Sequence, residues 1–287
     1  MLIVDAPGGT PAIDAVMARA HSENFPVASR VLPARVRADL LAIYGFARLV
    51  DELGDAVEGD RLAALDWLEG ELEAAFRGAA KHPLLVRLQP TLRSRALTRE
   101  PFARLIEANR IDQRVSGYAT WEQLRGYCAL SADPVGELVL GVFGAATPAR
   151  IELSDSICTA LQLIEHCQDI AEDLAAGRVY LPVEDLERFG CTRADLAAEH
   201  VSEPLRAVLA FELARARALL AEGAPLIDQL HGRERIALAA FVAGGRAAAG
   251  AIERAGYEVL GGPPPVGSLR RARALIATLR ARRRRAR

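Results

Sequence analysis

Residues 168–182 read Gln-Asp-Ile-Ala-Glu-Asp-Leu-Ala-Ala-Gly-Arg-Val-Tyr-Leu-Pro. Asp169 and Asp173 are four residues apart, so a helix places their carboxylates one turn apart on the same face. Gly177 is expected to end that helix, and the residues after it are predicted to form an extended connector. The stretch therefore predicts an acidic helix face that stops beside a basic and aromatic segment.

A second pair with the same spacing lies upstream, at Asp51 and Asp55. Tyr44 and Arg48 precede it at helical intervals, so the four side chains form one stripe on an otherwise apolar helix. Such a stripe also fits an exposed surface with an ordinary Arg–Asp pair, which contributes little to stability. Two pairs of this kind favour a hard cation, since Mg²⁺ is usually held by a few carboxylates plus substrate phosphates.

Residues 149–175 are predicted to form one long helix with a strongly polar face. That face carries Gln162, Glu165, His166, Asp169, Glu172 and Asp173. Carboxylates at this density repel one another unless a cation neutralises them, which is the physical argument for a metal. His166 fits a metal ligand or a hydrogen-bonded structural histidine, and we favour the second role.

The composition favours helices over sheets, because the chain is rich in Ala and Leu and only 5% aromatic. Apolar spacing, Pro and Gly predict helices near 12–20, 34–56, 60–77, 83–96, 101–116, 121–144 (in two parts divided at Asp133-Pro134), 149–175, 192–198, 203–222, 232–258 and 267–283. Strand alternation and repeats are absent from the sequence. We therefore expect one all-α domain over residues 1–287, with its helices around a central cavity.

Charge is unevenly distributed along the chain. Residues 261–287 hold nine arginines and no acid, and since the formal charge of the chain is −1, the residues before them carry roughly −10. A basic helix at about 267–287 fits either an anionic membrane surface or a solvated helix end. No aromatic residues interleave with these arginines, so we expect no nucleic-acid partner.

The four cysteines, Cys128, Cys158, Cys167 and Cys191, lack C-x-x-C and zinc spacings and are expected to be small core residues. The first residues lack the pattern of a signal peptide, and no run of 18 uncharged apolar residues occurs. We expect a cytoplasmic protein with reduced thiols, or one held peripherally at the inner face of the plasma membrane.

Residues 127–136 combine small and apolar side chains, including Val135 and Gly136, at a predicted helix break. Such a break makes room for a long isoprenoid chain, or it is simply a packed elbow. Arg178 and Tyr180 directly follow the acidic helix, where they could meet a phosphate or a cationic intermediate.

Together these motifs resemble the squalene/phytoene synthase family from about His21 to Tyr257. The stretch 168–182, preceded by Gln162-Leu163, carries most of the resemblance, and the Tyr44 to Asp55 stripe lies at the right distance upstream. The stretches 23–29, 118–121 and 131–136, with His166 close to Asp169, are most similar to the branch that makes hydroxysqualene in bacterial hopanoid pathways.

The resemblance implies an isoprenoid-synthase-type helical bundle that binds Mg²⁺, with Mn²⁺ as the alternative ion, and an isoprenoid diphosphate; NADPH and a eukaryotic-type membrane anchor are not implied. Residues that match Asp51, Asp55, Asp169 and Asp173 hold the metal in that family. Matches to His21, Ser22, Arg48 and Gln162 lie near the diphosphate, and matches to Tyr44, Tyr127 and Tyr180 face the reacting carbons. We add Glu165, Arg178, Val135 and Gly136 as substrate-binding candidates.

The chain departs from the family pattern at three places. Glu165 stands where the family usually has Asn, and Asp51-Glu52 stands where it usually has Asp-Asp. A tyrosine and an arginine that other branches carry near 245–262 have no clear match here. The acid at position 165 adds negative charge near the expected metal.

The sequence predicts an enzyme that ionises presqualene diphosphate and captures the rearranged cation with water. Head-to-head condensation of two farnesyl diphosphates, or of longer diphosphates to phytoene, is the alternative within the family. A helical assembly factor without chemistry is a further alternative. Neighbouring enzymes of the hopanoid pathway are the expected protein partners.

Overall fold

The computed structural model describes residues 31–285, with side chains up to residue 282, and every regular element in this part is a helix. The prediction of an all-α fold is confirmed. The predicted helix at 12–20, His21, Ser22 and the stretch 23–29 lie outside the described residues. Only one isolated bridge, between Gly117 and Val179, has strand-like pairing within this part.

In chain order the helices are α1 (Ala34–Asp55), α2 (Arg61–Phe76), α3 (Pro83–Arg95), α4 (Glu100–Asp112), α5 (Trp121–Ser131), α6 (Asp133–Val142), α7 (Pro148–Gln168), α8 (Ile170–Ala175), α9 (Val183–Arg188), α10 (Arg193–Leu196), α11 (Glu203–Gly223), α12 (Leu226–Gln229), α13 (Gly232–Arg254) and α14 (Ser268–Arg285). They form two compact units. The first takes the residues up to Arg114 together with 130–151, and the second takes 115–129 and the residues from Glu152 onward. That the units make one domain around a central cavity stays a prediction.

Most predicted helices are confirmed, and three boundaries differ for identifiable reasons. The helix predicted at 101–116 ends at Asp112, because the residues after it run beside the connector that follows α8. The one predicted at 232–258 ends at Arg254, where Gly256 and Tyr257 both adopt positive φ. The single helix predicted at 149–175 is interrupted at Asp169. Two short helices, α9 and α12, were not predicted.

The first unit is organised around α1, which packs against α2, α3, α4 and α6. Phe46, Leu49 and Leu53 on α1 are fully buried, and the Phe46 ring meets the edge of Phe102 from α4 at 5.1 Å. Burial of an apolar face of this kind is what holds a helix of 22 residues in place. This packing fixes the position of α1 and therefore of its polar stripe.

In the second unit, glycines allow two long helices to approach α7. A Cβ added at Gly223 on α11 would lie 2.5 Å from the Leu153 carbonyl oxygen of α7, and one at Gly245 on α13 would lie 2.5 Å from Leu161 Cδ2. The opposite face of α7 carries the polar residues, while Leu163, Ile164 and Cys167 are fully buried. Close packing against α11 and α13 therefore fixes the helix that presents the second acidic motif.

The last helix, α14, covers α13. Thr278 and Arg282 on α14 are buried, Arg246 on α13 donates to the Thr278 hydroxyl at 3.0 Å, and Arg282 pairs with Asp228. By length and hydropathy, α13 alone among the described helices is apolar enough to cross a membrane. It carries Arg246 and packs against α11, α12 and α14, which is typical of a core helix.

Gly223→Ala should destabilise the protein by about 1–3 kcal/mol, because the new methyl group meets a backbone carbonyl that cannot rotate away. Gly126→Ala is the matched control: Gly126 lies on α5 in the same unit and a Cβ there meets nothing within 4 Å. An exposed helical Gly→Ala change should stabilise by roughly 0.5–1 kcal/mol. Urea unfolding of both variants measures the difference, and equal stabilities would contradict this packing.

Candidate active site

The first acidic motif lies on α1 as predicted. Arg48 is engaged within the stripe: its Nη2 donates to Glu52 Oε1 at 2.9 Å, and its Nη1 lies 3.8 Å from Asp51 Oδ2. Asp51 keeps 48% of its side-chain surface exposed, and Asp55 is exposed as well. The two carboxylates are thus presented at a surface of the first unit.

Glu52 is a residue whose role the sequence did not reveal. It stands at the position that departs from the family pattern, and it provides the partner of Arg48. Arg48 Nε is buried and has no hydrogen-bond partner among the described residues. A buried N–H without a partner costs free energy unless an acceptor such as water or a ligand oxygen meets it.

The second acidic motif lies where the helix departs from its predicted course. Asp169 adopts φ −104° and ψ 18°, in the sparsely populated region where many active-site residues lie. The i→i−4 pattern nevertheless continues: Asp169 N–H donates to the Glu165 carbonyl at 2.9 Å, and Asp173 N–H donates to the Asp169 carbonyl at 2.8 Å. The two acids therefore stay one turn apart although α7 and α8 are separate helices.

Asp169 has an unusual electrostatic environment. Its side chain makes no capping hydrogen bond to α8. Burial and, to a smaller extent, the nearby charge of Glu172 together raise the pKa of Asp169 to about 6. A half-buried carboxylate in this situation gains from a cation more than an ordinary surface acid does.

His166 is buried and contacts its neighbours, which fits the structural role that we favoured from the sequence. Its ring stacks on Tyr180 with centroids 4.0 Å apart, and its Nε2 lies 3.3 Å from Gln162 Nε2. Burial lowers the pKa of His166 to about 3, so the ring is neutral near pH 7. With the amide as assigned, Gln162 donates to Nε2 and Nδ1 carries the proton, 4.0 Å from Asp173 Oδ2.

Three tyrosines and His166 form an aromatic cluster in the second unit. The centroids of Tyr127 and Tyr180 are 5.5 Å apart, and Tyr118 lies 5.3 Å from Tyr127 and 6.2 Å from Tyr180. All three tyrosines are buried. Tyr127 and Tyr180 were predicted site residues, whereas Tyr118 was not. Its position beside the others depends on a pairing between distant segments that helical spacing cannot reveal.

The remaining candidates fall into two groups. Arg178 Nη1 donates to the Tyr180 hydroxyl at 3.3 Å, which places it beside the aromatic cluster, and Glu165 is part-buried on α7. Val135 and Gly136 belong to α6 in the first unit, where the predicted break is confirmed at Ala132 and the residues 132–134 around it are buried. Tyr44 lies on α1 of the same unit. The substrate-binding roles of all these residues stay predictions.

The donor set of the two motifs fits a hard divalent cation. The available ligands are carboxylate oxygens, and Asp169 lacks a compensating charge among the described residues. Within this part of the chain no three His, Cys, Asp or Glu side chains lie together as a complete metal site. Mg²⁺ is typically bound by one or two carboxylates plus phosphates and water, so a partial set on each unit suits it. The convergence of the two motifs on one ion stays a prediction.

Comparison with known proteins places this fold in the class of isoprenoid-synthase-type helical enzymes. The squalene synthase HpnC structure from Alicyclobacillus acidocaldarius has a TM-score of 0.79 and 47% identity, covering 86% of this chain and 94% of that one. A curated hydroxysqualene synthase of Zymomonas mobilis is 35% identical over 217 residues, 74% of this chain and 72% of the relative. A presqualene diphosphate synthase of Rhodopseudomonas palustris is 35% identical over 189 residues, 65% of this chain and 67% of the relative.

The family model described as squalene/phytoene synthase matches residues 18–285. The chain belongs to the squalene/phytoene synthase family and is an isoprenoid transferase of that type. Among the relatives, it is similar to the hydroxysqualene synthases.

Proposed function

We infer that this enzyme converts presqualene diphosphate and water into hydroxysqualene and diphosphate. The observation that carries the proposal is the combination of two intact Asp-x-x-x-Asp motifs with a buried tyrosine cluster at the end of the second one. Similarity to hydroxysqualene synthases at about 35% identity supports the choice within the family. The resemblance of stretches 118–121 and 131–136 to that branch points the same way.

The proposed reaction begins with heterolysis of the bond between the cyclopropylcarbinyl carbon and the diphosphate oxygen. The electron pair leaves with the diphosphate, and the remaining cation rearranges by opening the three-membered ring. Water then adds to the rearranged cation, and loss of one proton gives the alcohol. No electrons are exchanged with a reductant, so NADPH is not expected to take part.

The chain's own residues divide this work. Asp51, Asp55, Asp169 and Asp173 would hold Mg²⁺ or Mn²⁺, which when bound would neutralise charge that develops on the departing diphosphate. Arg48, with its unpartnered buried Nε, would donate to a phosphate oxygen. Tyr127 and Tyr180, joined by Tyr118, would present electron-rich faces and a dry wall to the cation. Tyr44 would do the same from α1.

The main alternative is condensation of two farnesyl diphosphates to presqualene diphosphate, since a relative with that name is also about a third identical. Phytoene synthesis from longer diphosphates is the second. The test is to supply farnesyl diphosphate alone and presqualene diphosphate alone, with Mg²⁺ and without NADPH, and to identify products by mass spectrometry. We expect hydroxysqualene from presqualene diphosphate only. Presqualene diphosphate formed from farnesyl diphosphate would assign the alternative.

Asp169→Asn and Asp55→Asn should each lower kcat for diphosphate release roughly a hundred- to thousandfold at saturating Mg²⁺. Losing one charged group that acts on the leaving diphosphate typically costs a few kcal/mol in the transition state. Asp66→Asn is the matched control, because it makes the same chemical change on α2 at an acid that pairs with Arg110. Wild-type turnover in both motif variants would exclude the metal-binding assignment.

We also propose that the outer face of α14 contacts an anionic membrane surface. At 100° per residue, Leu269, Arg273, Ile276 and Arg280 share one stripe, and Thr278, buried against α13, points the opposite way. Leu269 is 76% exposed and Ile276 is 48% exposed. Alternating apolar and cationic residues suit the interface of an anionic bilayer, where the apolar side chains enter and the arginines meet headgroups.

This surface is tested by co-sedimentation with phosphatidylcholine vesicles that contain or lack phosphatidylglycerol. Because α14 covers α13, point variants are preferable to deletion. Arg273→Gln with Arg280→Gln should weaken binding to anionic vesicles about ten- to thirtyfold, since each arginine contributes about 1 kcal/mol near such a surface. Arg193→Gln with Arg233→Gln removes the same charge elsewhere and should leave binding nearly unchanged. Equal loss in both double variants, or equal pelleting with neutral vesicles, would reject the stripe.

Contact with neighbouring pathway enzymes stays a prediction.

A further inference from the structure

Two segments that carry rings of the aromatic cluster run side by side. Val179 N–H donates to the Ser116 carbonyl at 2.8 Å, Val183 N–H to the Tyr118 carbonyl at 2.9 Å, and Glu184 N–H to the Ala119 carbonyl at 3.0 Å. Tyr118 lies on the first segment and Tyr180 on the second. The register of these hydrogen bonds therefore sets how the two rings face each other.

The side chain of Arg215 on α11 contacts the residues that follow both segments. The guanidinium lies 4.5 Å from the ring centroid of Trp121, which directly follows the first segment, and its Nη1 donates to Asp185 Oδ2 at 2.9 Å, just beyond the second. The Trp121 backbone N–H also donates to Glu184 Oε1 at 2.7 Å. One side chain from a third element thus joins the far ends of both segments.

Glu212 holds Arg215 in this position. Arg215 Nη1 lies 2.6 Å and 2.7 Å from the two Glu212 oxygens, and both Glu212 and Asp185 are buried. The Phe211 ring, 4.7 Å from the guanidinium carbon, covers it further. Burial raises the pKa of Glu212 to about 8, with Arg215 acting in the opposite direction. A buried group of three ionisable side chains is costly unless its hydrogen bonds are satisfied in a fixed geometry, so these side chains leave Arg215 little freedom.

We propose that Arg215 is a positioning residue for the cation-binding aromatic cluster: by clamping Trp121 and Asp185, it fixes the register that brings Tyr118 and Tyr180 together. Its own contacts are with Trp121, Phe211, Asp185 and Glu212 rather than with the cluster rings. The effect on catalysis rests on the proposed function, whereas the effect on ring geometry does not.

The direct test uses ¹⁹F NMR on protein labelled with 3-fluorotyrosine, since the chain has only five tyrosines. Arg215→Met should shift the resonances of Tyr118 and Tyr180, because the ring currents of their stacked neighbours change. Arg215→Lys keeps the charge but loses the planar fork, so it should shift the same two resonances by a smaller amount. If Arg215→Met does not fold, as judged by circular dichroism, Arg215→Lys carries the comparison.

Arg217→Met is the matched control, two residues along the same helix. Arg217 pairs with Glu253 on α13. That hydrogen bond raises the pKa of Arg217, and the nearby Tyr257 contributes in the same direction. This variant should move the Tyr257 resonance and leave those of Tyr118 and Tyr180 in place. Unchanged Tyr118 and Tyr180 resonances in the Arg215 variants, or equal shifts in Arg217→Met, would overturn the proposal.

Kinetics with presqualene diphosphate give the functional readout. Arg215→Lys should lower kcat for hydroxysqualene formation roughly 10- to 100-fold with little change in KM, because a displacement of about 1 Å can cost about 100-fold in rate. Arg217→Met should keep kcat near wild type. If the wild-type enzyme does not turn over this substrate, the proposed function fails while the NMR comparison still decides the role of Arg215. A kcat loss shared equally by both variants would reduce Arg215 to a general stabilising residue.

Discussion

Negative charge on partly buried helix faces is the constraint on which the rest of this structure depends. Most of these acids have a cation nearby: Glu52 has Arg48, and Asp185 and Glu212 share Arg215. Asp169 is different, because burial and Glu172 both disfavour its charged form and no described basic side chain offsets them. Unfavourable groups of this kind cluster at functional sites. The environment of Asp169 therefore supports the proposal that a cation binds at the acidic motif.

Close approach of α11 and α13 to α7 is the second requirement, because α7 must be held in place while its polar face stays uncovered. Gly223 and Gly245 let α11 and α13 pack against the apolar side of α7 at distances that no side chain would allow. The same α11 carries Glu212 and Arg215, which join α5 and α9. One helix thus supports the second acidic motif from behind and holds the aromatic segments from the side. Packing and site geometry are in this way two aspects of the same helix placement.

Helical periodicity was sufficient to predict the class of fold, most helix bounds and the two aspartate pairs, because these depend on spacing within one segment. It failed at Asp169, where the helix is interrupted although the residue types around it favour continuation. It also missed Tyr118 and Glu52 as site residues. Tyr118 joins the cluster through hydrogen bonds to a segment about 60 residues away along the chain. Glu52 was missed because Arg48 has several acids nearby, and the sequence does not show that it pairs with Glu52. Such choices are made by tertiary contacts, which a single sequence does not encode in any local pattern.

The covering of α13 by α14 has a consequence for truncated forms of the chain. α13 is a long apolar helix, and α14 packs along it. A chain that ended between the two helices would leave that face of α13 uncovered, and an uncovered apolar face of a long helix favours aggregation.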